Sequence, residues 1–342
     1  MKKNVFLALI PMLAVSAAAQ AQSNVTLYGR INTTVEHQKF QGESSTTGLH
    51  SNSSFIGFRG VEDLGSGLKA GFVLEQQIDA TNGAASGFER ETHISLSGAF
   101  GTLKAGNYNS TAYTYTADYI SMHNHDTGSS ADALFAYVVP NDTKIGYISP
   151  DFGGFSFEVG YGFEDNHGDK SPYDLSLRYV YGDFDLGAGY AKWDEAEAFT
   201  IRALYHNGTF ALGGYVQYDD NGHAGTVANW INGQLPAGTP PVSASDVTNA
   251  FDLGDRLSAR LVGAYYFGNS ELHANVGWAD EYDNVADSDA LQYTLAYNYN
   301  LSKRTKLYGF YTHIDNKRNA IYGGADAGKD FSSFALGVRH LF

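Results

Sequence analysis

Beyond its amino-terminal segment the chain is written with a period of two. Phe334, Leu336, Val338, His340 and Phe342 fall on one parity, and Ala335, Gly337, Arg339 and Leu341 on the other. In an extended strand this puts an apolar and aromatic set on one face and a small or polar set on the opposite face. The same split separates Leu68, Ala70, Phe72, Leu74 and Gln76 from Lys69, Gly71, Val73, Glu75 and Gln77. It also separates Leu175, Leu177, Tyr179 and Tyr181 from Asp174, Ser176, Arg178 and Val180. No helical period competes over a comparable length.

The pattern predicts about sixteen strands, beginning near Val25, Ser53, Leu68, Glu89, Thr102, Thr143, Phe155, Tyr173, Phe184, Ala198, Phe210, Arg256, Glu271, Ala290, Thr305 and Phe331. Tight connections (Asp63 to Gly67, Gly98 to Gly101, Tyr181-Gly182-Asp183, His206 to Thr209, Gly268-Asn269-Ser270) interleave with longer polar ones. Two of the long ones, Ser110 to Asn141 and Asp219 to Asp255, read as structureless loops of a length usually kept for function.

A soluble sandwich or lipocalin has about seven to nine strands and buries its apolar face. Here lysine, glutamate and arginine sit on the face opposite the apolar one, and the strand number suits a barrel around water. The fold class is therefore all-β, a transmembrane antiparallel barrel of sixteen strands, with its short turns periplasmic and its long loops extracellular. No second domain or linker appears.

Composition sharpens this picture. Only 43% of the 342 residues are hydrophobic and no eighteen-residue apolar run exists, which excludes a helical membrane protein. Lys2 and Lys3, the apolar run Val5 to Ala19 and the motif Ala19-Gln20-Ala21 form a secretory leader, residues 1–21, leaving 22–342 as the mature barrel. Losing the two lysines takes the formal charge from −15 to −17, and a surface that acidic repels nucleic acid. Cysteine is absent, so thiol nucleophiles and Cys-ligated metals are excluded.

Four stretches look like a known group. Ser23 to Gly29 resembles the first strand, and Ser54 to Ala70 (SFIGFRGVEDLGSGLKA) the second hairpin, of the general trimeric porins of betaproteobacterial and neisserial outer membranes. Tyr147 to Gly154 resembles that family's turn between the sixth and seventh strands, and Gly337 to Phe342 its carboxyl end. The resemblance spans essentially residues 22–342. It implies a sixteen-stranded barrel, assembled as a homotrimer in outer-membrane lipid and lipopolysaccharide, with a third loop folded inward to narrow the lumen. It also implies that Phe342 is the terminal signal read by the barrel-assembly machinery, although a lipid-facing aromatic would suit any barrel.

Such a channel works by size and field. The third loop, Ser110 to Asn141, holds Asp118, Asp126 and Asp132 and no lysine or arginine, so folding inward would set a negative edge at the narrowest point. Opposite it the family places a basic ladder; inward parity offers Arg30, Arg59 and Lys69, with Lys104 and Arg178 further along. Several relatives carry arginine where this chain has Phe55, Asn107 and Pro140, so positive charge has been lost. Together with the mature charge, this gives an expectation of passive diffusion of ions and small hydrophilic solutes with a modest cation preference.

Tyr113, Tyr115, Tyr119, Phe135 and Tyr137 in or beside the third loop either pin it to the wall or bind a specific solute. A plugged adhesive barrel is the remaining alternative within the fold. Enzyme activity has no support. No nucleophile elbow, zincin helix, P-loop or dinucleotide fingerprint occurs in context, and His123-Asn124-His125-Asp126, a spacing able to hold a metal, reads as solvated loop. No cofactor and no metal are expected.

Overall fold

The computed structural model describes residues 24–120, 133–139, 142–167, 170–236 and 239–342. Its strands are β1 (Asn24–Phe40), β2 (Thr46–Ser51), β3 (Phe55–Gly65), β4 (Leu68–Gln77), β5 (Thr92–Gly98), β6 (Gly101–Tyr108), β7 (Asp142–Ile148), β8 (Phe155–Tyr161) and β9 (Tyr173–Tyr181). They continue as β10 (Phe184–Trp193), β11 (Ala196–His206), β12 (Phe210–Asp220), β13 (Asp255–Phe267), β14 (Ser270–Ala279), β15 (Ala290–Asn300), β16 (Thr305–Asn316) and β17 (Phe331–Leu341). β2 and β3 both pair antiparallel with β1, every later strand pairs antiparallel with its neighbours in sequence, and β1 closes the sheet on β17 from Arg30↔Leu341 to Phe40↔Phe331.

The segments β2 and β3 are one barrel strand, so the barrel has sixteen. β1 pairs with both, as Thr33↔Ser51 and as Arg30↔Phe55, which leaves one extra residue on the second strand. This is a bulge. Ser53 there has φ 50°, turning its carbonyl to accept Arg30 Nε and Nη2 at 3.1 and 2.8 Å. Apart from this bulge, the predicted strand starts lie within three residues of the observed ones. Alternation alone starts the second strand at Ser53 and misses Thr46–Ser51, because Thr-Thr-Gly-Leu-His-Ser has no apolar period to reveal it.

Side chains alternate as the sequence pattern requires. On β12, Leu212, Val216 and Tyr218 are exposed on the outside while Tyr215, Gln217 and Asp219 are buried inside. A soluble protein does the reverse, so the outer face is matched to lipid. Aromatic pairs at the short-turn end of that face, Phe184–Tyr205 and Phe210–Tyr265 with centroids 5.2 and 4.9 Å apart, form part of an interfacial girdle. Pro150, Pro172, Pro236, Pro240 and Pro241 all lie between strands, where a missing N–H costs no ladder bond. In the turn after β3, Gly65, Ser66 and Gly67 all take positive φ, a sequence only glycine-rich chain follows at low cost.

The connection from Asp219 to Asp255 corrects one expectation. It is not structureless but carries the helices Ala224–Gln234 and Ala244–Ala250, the second begun by a Ser243/Asp246 capping box. Ala224, Ala228 and Val247 bury together against Leu253 and Tyr282, a core too short to leave a helical period visible over a long window.

Barrel closure suggests one measurement. The backbones of Gly29 and Phe342 exchange hydrogen bonds of 3.2 and 3.1 Å. A Cβ on residue 29 would lie 2.5 Å from the Phe342 ring and 2.5 Å from the Phe55 carbonyl oxygen. Gly29→Val should destabilise the seam by about 1–3 kcal/mol, the usual range for overpacking. The readout is a smaller fraction migrating as the compact, heat-modifiable form on a denaturing gel.

Candidate functional site

The inner wall is a set of charges that the strand period places face to face. On β1, β3 and β4, the Arg59 guanidinium lies 4.8 Å over the Tyr28 ring, and Arg30 lies 5.3 Å over Phe55. Tyr28 donates to Glu75 Oε1 at 2.8 Å, and Arg90, arriving from the loop before β5, lies 4.9 Å over Phe55 and 3.4 Å from Glu75. Phe55 thus serves as a shelf between two arginines. Parity picks out Arg30 and Arg59 but misses Arg90, which falls on the parity of the outward Ile94 and Leu96 and precedes the observed start of β5.

The opposite wall receives the third loop. Two single-turn helices, Thr111–Thr114 and Ala117–Ile120, and the segment 133–139 pack on inward-facing residues of β8 to β15. Ala117, Ile120 and Phe135 bury against Tyr215 and Val262 of the wall. Asp174 accepts from Thr111 N at 3.0 Å and from Lys144 Nζ at 3.0 Å. Gln217 both accepts from Ala136 N (2.7 Å) and donates to Ala136 O (3.2 Å), replacing strand-like pairing for that stretch. Arg202 Nε donates to Tyr115 O at 2.7 Å while its Nη2 meets Asp185 at 2.6 Å.

Gly187 and Gly189 let the loop come this close. A Cβ at 189 would stand 2.7 Å from Ala112 O, so a larger residue must push the first helix away from the wall. Gly189→Leu is expected to displace the loop toward the lumen and lower single-channel conductance while leaving the barrel folded. Unchanged conductance in a folded variant would show that this contact does not set the opening.

A second hub fastens the far end of the loop. Arg256 bonds Asp219 Oδ2 through Nε (3.0 Å) and Nη2 (2.8 Å), and donates as well to Leu134 O (3.0 Å) and the Tyr322 hydroxyl (2.7 Å). The Tyr282 hydroxyl donates to Asp219 Oδ1 at 2.6 Å and lies 3.1 Å from His223 Nδ1. One buried cluster thereby joins the third loop to the connections after β12, β14 and β16. Burial holds the His223 imidazole well below its ordinary range, and the nearby Arg256 charge adds to the effect.

The other residues singled out from sequence are placed as follows. Lys104 Nζ is 2.9 Å from Glu158 and 3.8 Å over Tyr108. Arg178 is paired with Asp185 at 2.6 Å. Lys69 pairs in register with Asp63, beside the short turn and far along the strand from Arg30. Asp118 is half-buried in the helix Ala117–Ile120. Asp126, Asp132, His123 and His125 lie outside the described residues. Tyr113, Phe135 and Tyr137 form one cluster, 4.9 to 5.7 Å between ring centroids, with Phe135 edge-on to Tyr215 at 5.5 Å. That is the geometry of a pin. Lys144, Arg202 and Arg256 prove to be the fasteners; the alternating pattern does not single them out, because isolated charges on inward parity look alike.

A family model described as Gram-negative porin matches residues 7–319. The chain belongs to the Gram-negative porins. Outer membrane porin protein 32 of Delftia acidovorans is 32% identical over the full length of both chains, and the major outer membrane protein P.IB of Neisseria meningitidis serogroup B is 30% identical over 89% of this chain and 91% of its own. Among solved structures, an anion-selective porin from Comamonas acidovorans superposes with a TM-score of 0.72 at 25% identity, covering 94% of this chain and all of that one. OmpT of Vibrio cholerae, in its trimer form, shares the fold with a TM-score of 0.65 at 17% identity, covering 94% of this chain and 99% of its own.

The porin is thus an outer-membrane channel and not an enzyme. Its sixteen strands provide the wall, and the charges and aromatic rings just described are what a solute inside that wall meets.

Proposed function

We propose that this porin is a general diffusion channel for ions and small hydrophilic solutes, with a modest preference for cations and with Asp118, Asp126 and Asp132 as the acidic edge of its constriction. The observation that carries the reading is pairing: Lys104 is matched by Glu158, and Arg178 shares Asp185 with the buried Arg202, so the charge of Lys104 is cancelled and that of Arg178 is reduced. Arg30 and Arg59, stacked on Phe55 and Tyr28, are the wall's positive counterpart, and Lys69 lies at the short-turn mouth. The loop from Ser110 to Asn141, by contrast, contains no basic residue at all. The Comamonas porin is described as anion-selective; the cation preference proposed for this chain is the opposite sign, and it rests on this chain's own loop and wall charges.

The same reading includes removal of residues 1–21 as a leader, insertion through the assembly machinery with Phe342 as signal, and a homotrimer in lipid and lipopolysaccharide. Planar-bilayer recording of the purified native protein tests it. Conductance steps in groups of three with weak ion selectivity are expected, and absence of conductance from correctly folded protein would overturn the channel reading.

A further inference from the structure

The lipid-facing surface is uneven. Between β13 and β17 it holds an apolar groove of about 990 Å³, floored where Gly263, Ala274 and Leu295 pair across three strands and where Gly309 pairs with Leu336. Tyr265 and Tyr297 stand along it toward the short-turn end. Small residues side by side on adjacent strands make the hollow, and the larger rings around it make its walls.

At the short-turn end of the same strands lies the turn Leu301-Ser302-Lys303-Arg304, joining β15 to β16, with Lys303 and Arg304 both exposed. The other short turns carry no lysine or arginine: Ser66, Ala99-Phe100, Pro150 to Gly154, Gly182-Asp183, Asn207 to Thr209 and Gly268-Asn269 are neutral or acidic. In a chain of net charge −15, the single basic short turn stands beneath this apolar hollow of the outer face.

We propose that this groove and turn form a binding site for an anionic phospholipid of the periplasmic leaflet, with an acyl chain along Gly263 and Ala274 and against Leu295 and Leu336, and the phosphate beside Lys303 and Arg304. Lipid contact at interfacial tyrosines accompanied by basic side chains is the chemistry expected at that depth. Lipopolysaccharide is excluded as occupant by position, since its leaflet meets the long-loop end. A groove shaped only by small residues would hold any acyl chain; the two cations add preference for a headgroup without a balancing amine.

The test is native mass spectrometry of the whole folded porin released from detergent after equilibration with phosphatidylglycerol or phosphatidylcholine. The native protein should retain phosphatidylglycerol several-fold more than phosphatidylcholine. K303Q/R304Q should lose that preference while still retaining either lipid. Gly263→Leu should lose both, because a Cβ there meets nothing closer than 3.9 Å and the side chain can fill the hollow without moving backbone. Equal retention of the two lipids by the native protein, or unchanged retention by Gly263→Leu, overturns the proposal. So does a Gly263→Leu protein whose lipid adducts are normal but whose oligomer is broken, which would make the groove a contact between subunits. Channel conductance is read separately in the same preparations, so failure of the lipid site is distinguishable from failure of the porin reading.

Discussion

In a tenfold KCl gradient the reversal potential of the native porin should carry the sign of potassium permeation, and Asp118→Asn/Asp126→Asn/Asp132→Asn should move it toward chloride. Two unit charges 8 Å apart interact by about 2 kcal/mol at an effective dielectric of 20 and about 0.5 kcal/mol at that of water. A wet lumen lies near the lower figure and salt screens it over about 8 Å. Potassium should therefore be favoured about two- to fourfold, no more. The sign is informative because the wall offers a definite alternative. Should chloride be preferred by the native protein, Arg30 and Arg59 are the filter, and Arg30→Gln/Arg59→Gln rather than the loop triple will shift the potential. The preference should shrink at 1 M salt, where the screening length is about 3 Å.

The fold was legible because a barrel strand must alternate where it crosses hydrocarbon. Each outward position that turned polar would face hydrocarbon, so the period survives even in a segment as varied as Phe331–Leu341. The one strand misjudged at its start, Thr46–Ser51, has Leu49 as its single large apolar side chain, so no alternation marks its membrane side. Helices in the Asp219–Asp255 connection were invisible for the opposite reason: they cover a local core of small residues, and no lipid or lumen imposes a rule on them.

The site was less legible than the wall. Parity could say that Arg30 and Arg59 point inward, but not that Ser53 would be turned by a bulge to accept Arg30. Nor could it distinguish Arg256, which anchors the loop, from Lys69, which borders a turn, since both are single bases on inward positions. What separates them is a partner far away in sequence: Leu134 is 122 residues from Arg256. Long-range contacts of that kind leave no trace in local spacing.

Arg256 is where the largest effect of a single substitution is expected. Arg256→Met would leave the Asp219 carboxylate buried with Tyr282 but without its guanidinium, and breaking one half of a buried ion pair costs about 3–5 kcal/mol. Leu134 O and the Tyr322 hydroxyl would also lose a donor. None of this touches the ladder between β12 and β13, which runs on from Asp219↔Arg256 to Phe210↔Tyr265. The barrel should still form and migrate as a compact species. The cost should appear instead as looser loops: noisy conductance, frequent substates and a lower closing voltage. Removing the stranded charge as well, in Arg256→Met/Asp219→Leu, should recover most of the steadiness, since a buried pair replaced by apolar groups is often neutral.

The same hub predicts a pH dependence. His223 faces Arg256, Tyr282 and Tyr322, with Asp219 behind the Tyr282 hydroxyl, and burial holds its pKa down in the closed hub. An opened or unfolded imidazole titrates near 6.5. Above that value neither state holds the extra proton and the closed hub has its full stability. As pH falls below about 6.5 the open state gains a proton that the closed one resists, so opening is favoured. Conductance noise should therefore rise on acidification from pH 7 toward 5, and His223→Asn should flatten that profile without imitating the Arg256→Met phenotype at neutral pH. Quiet channels in Arg256→Met, or an acid response unchanged in His223→Asn, would show that the outer loops are held by other means.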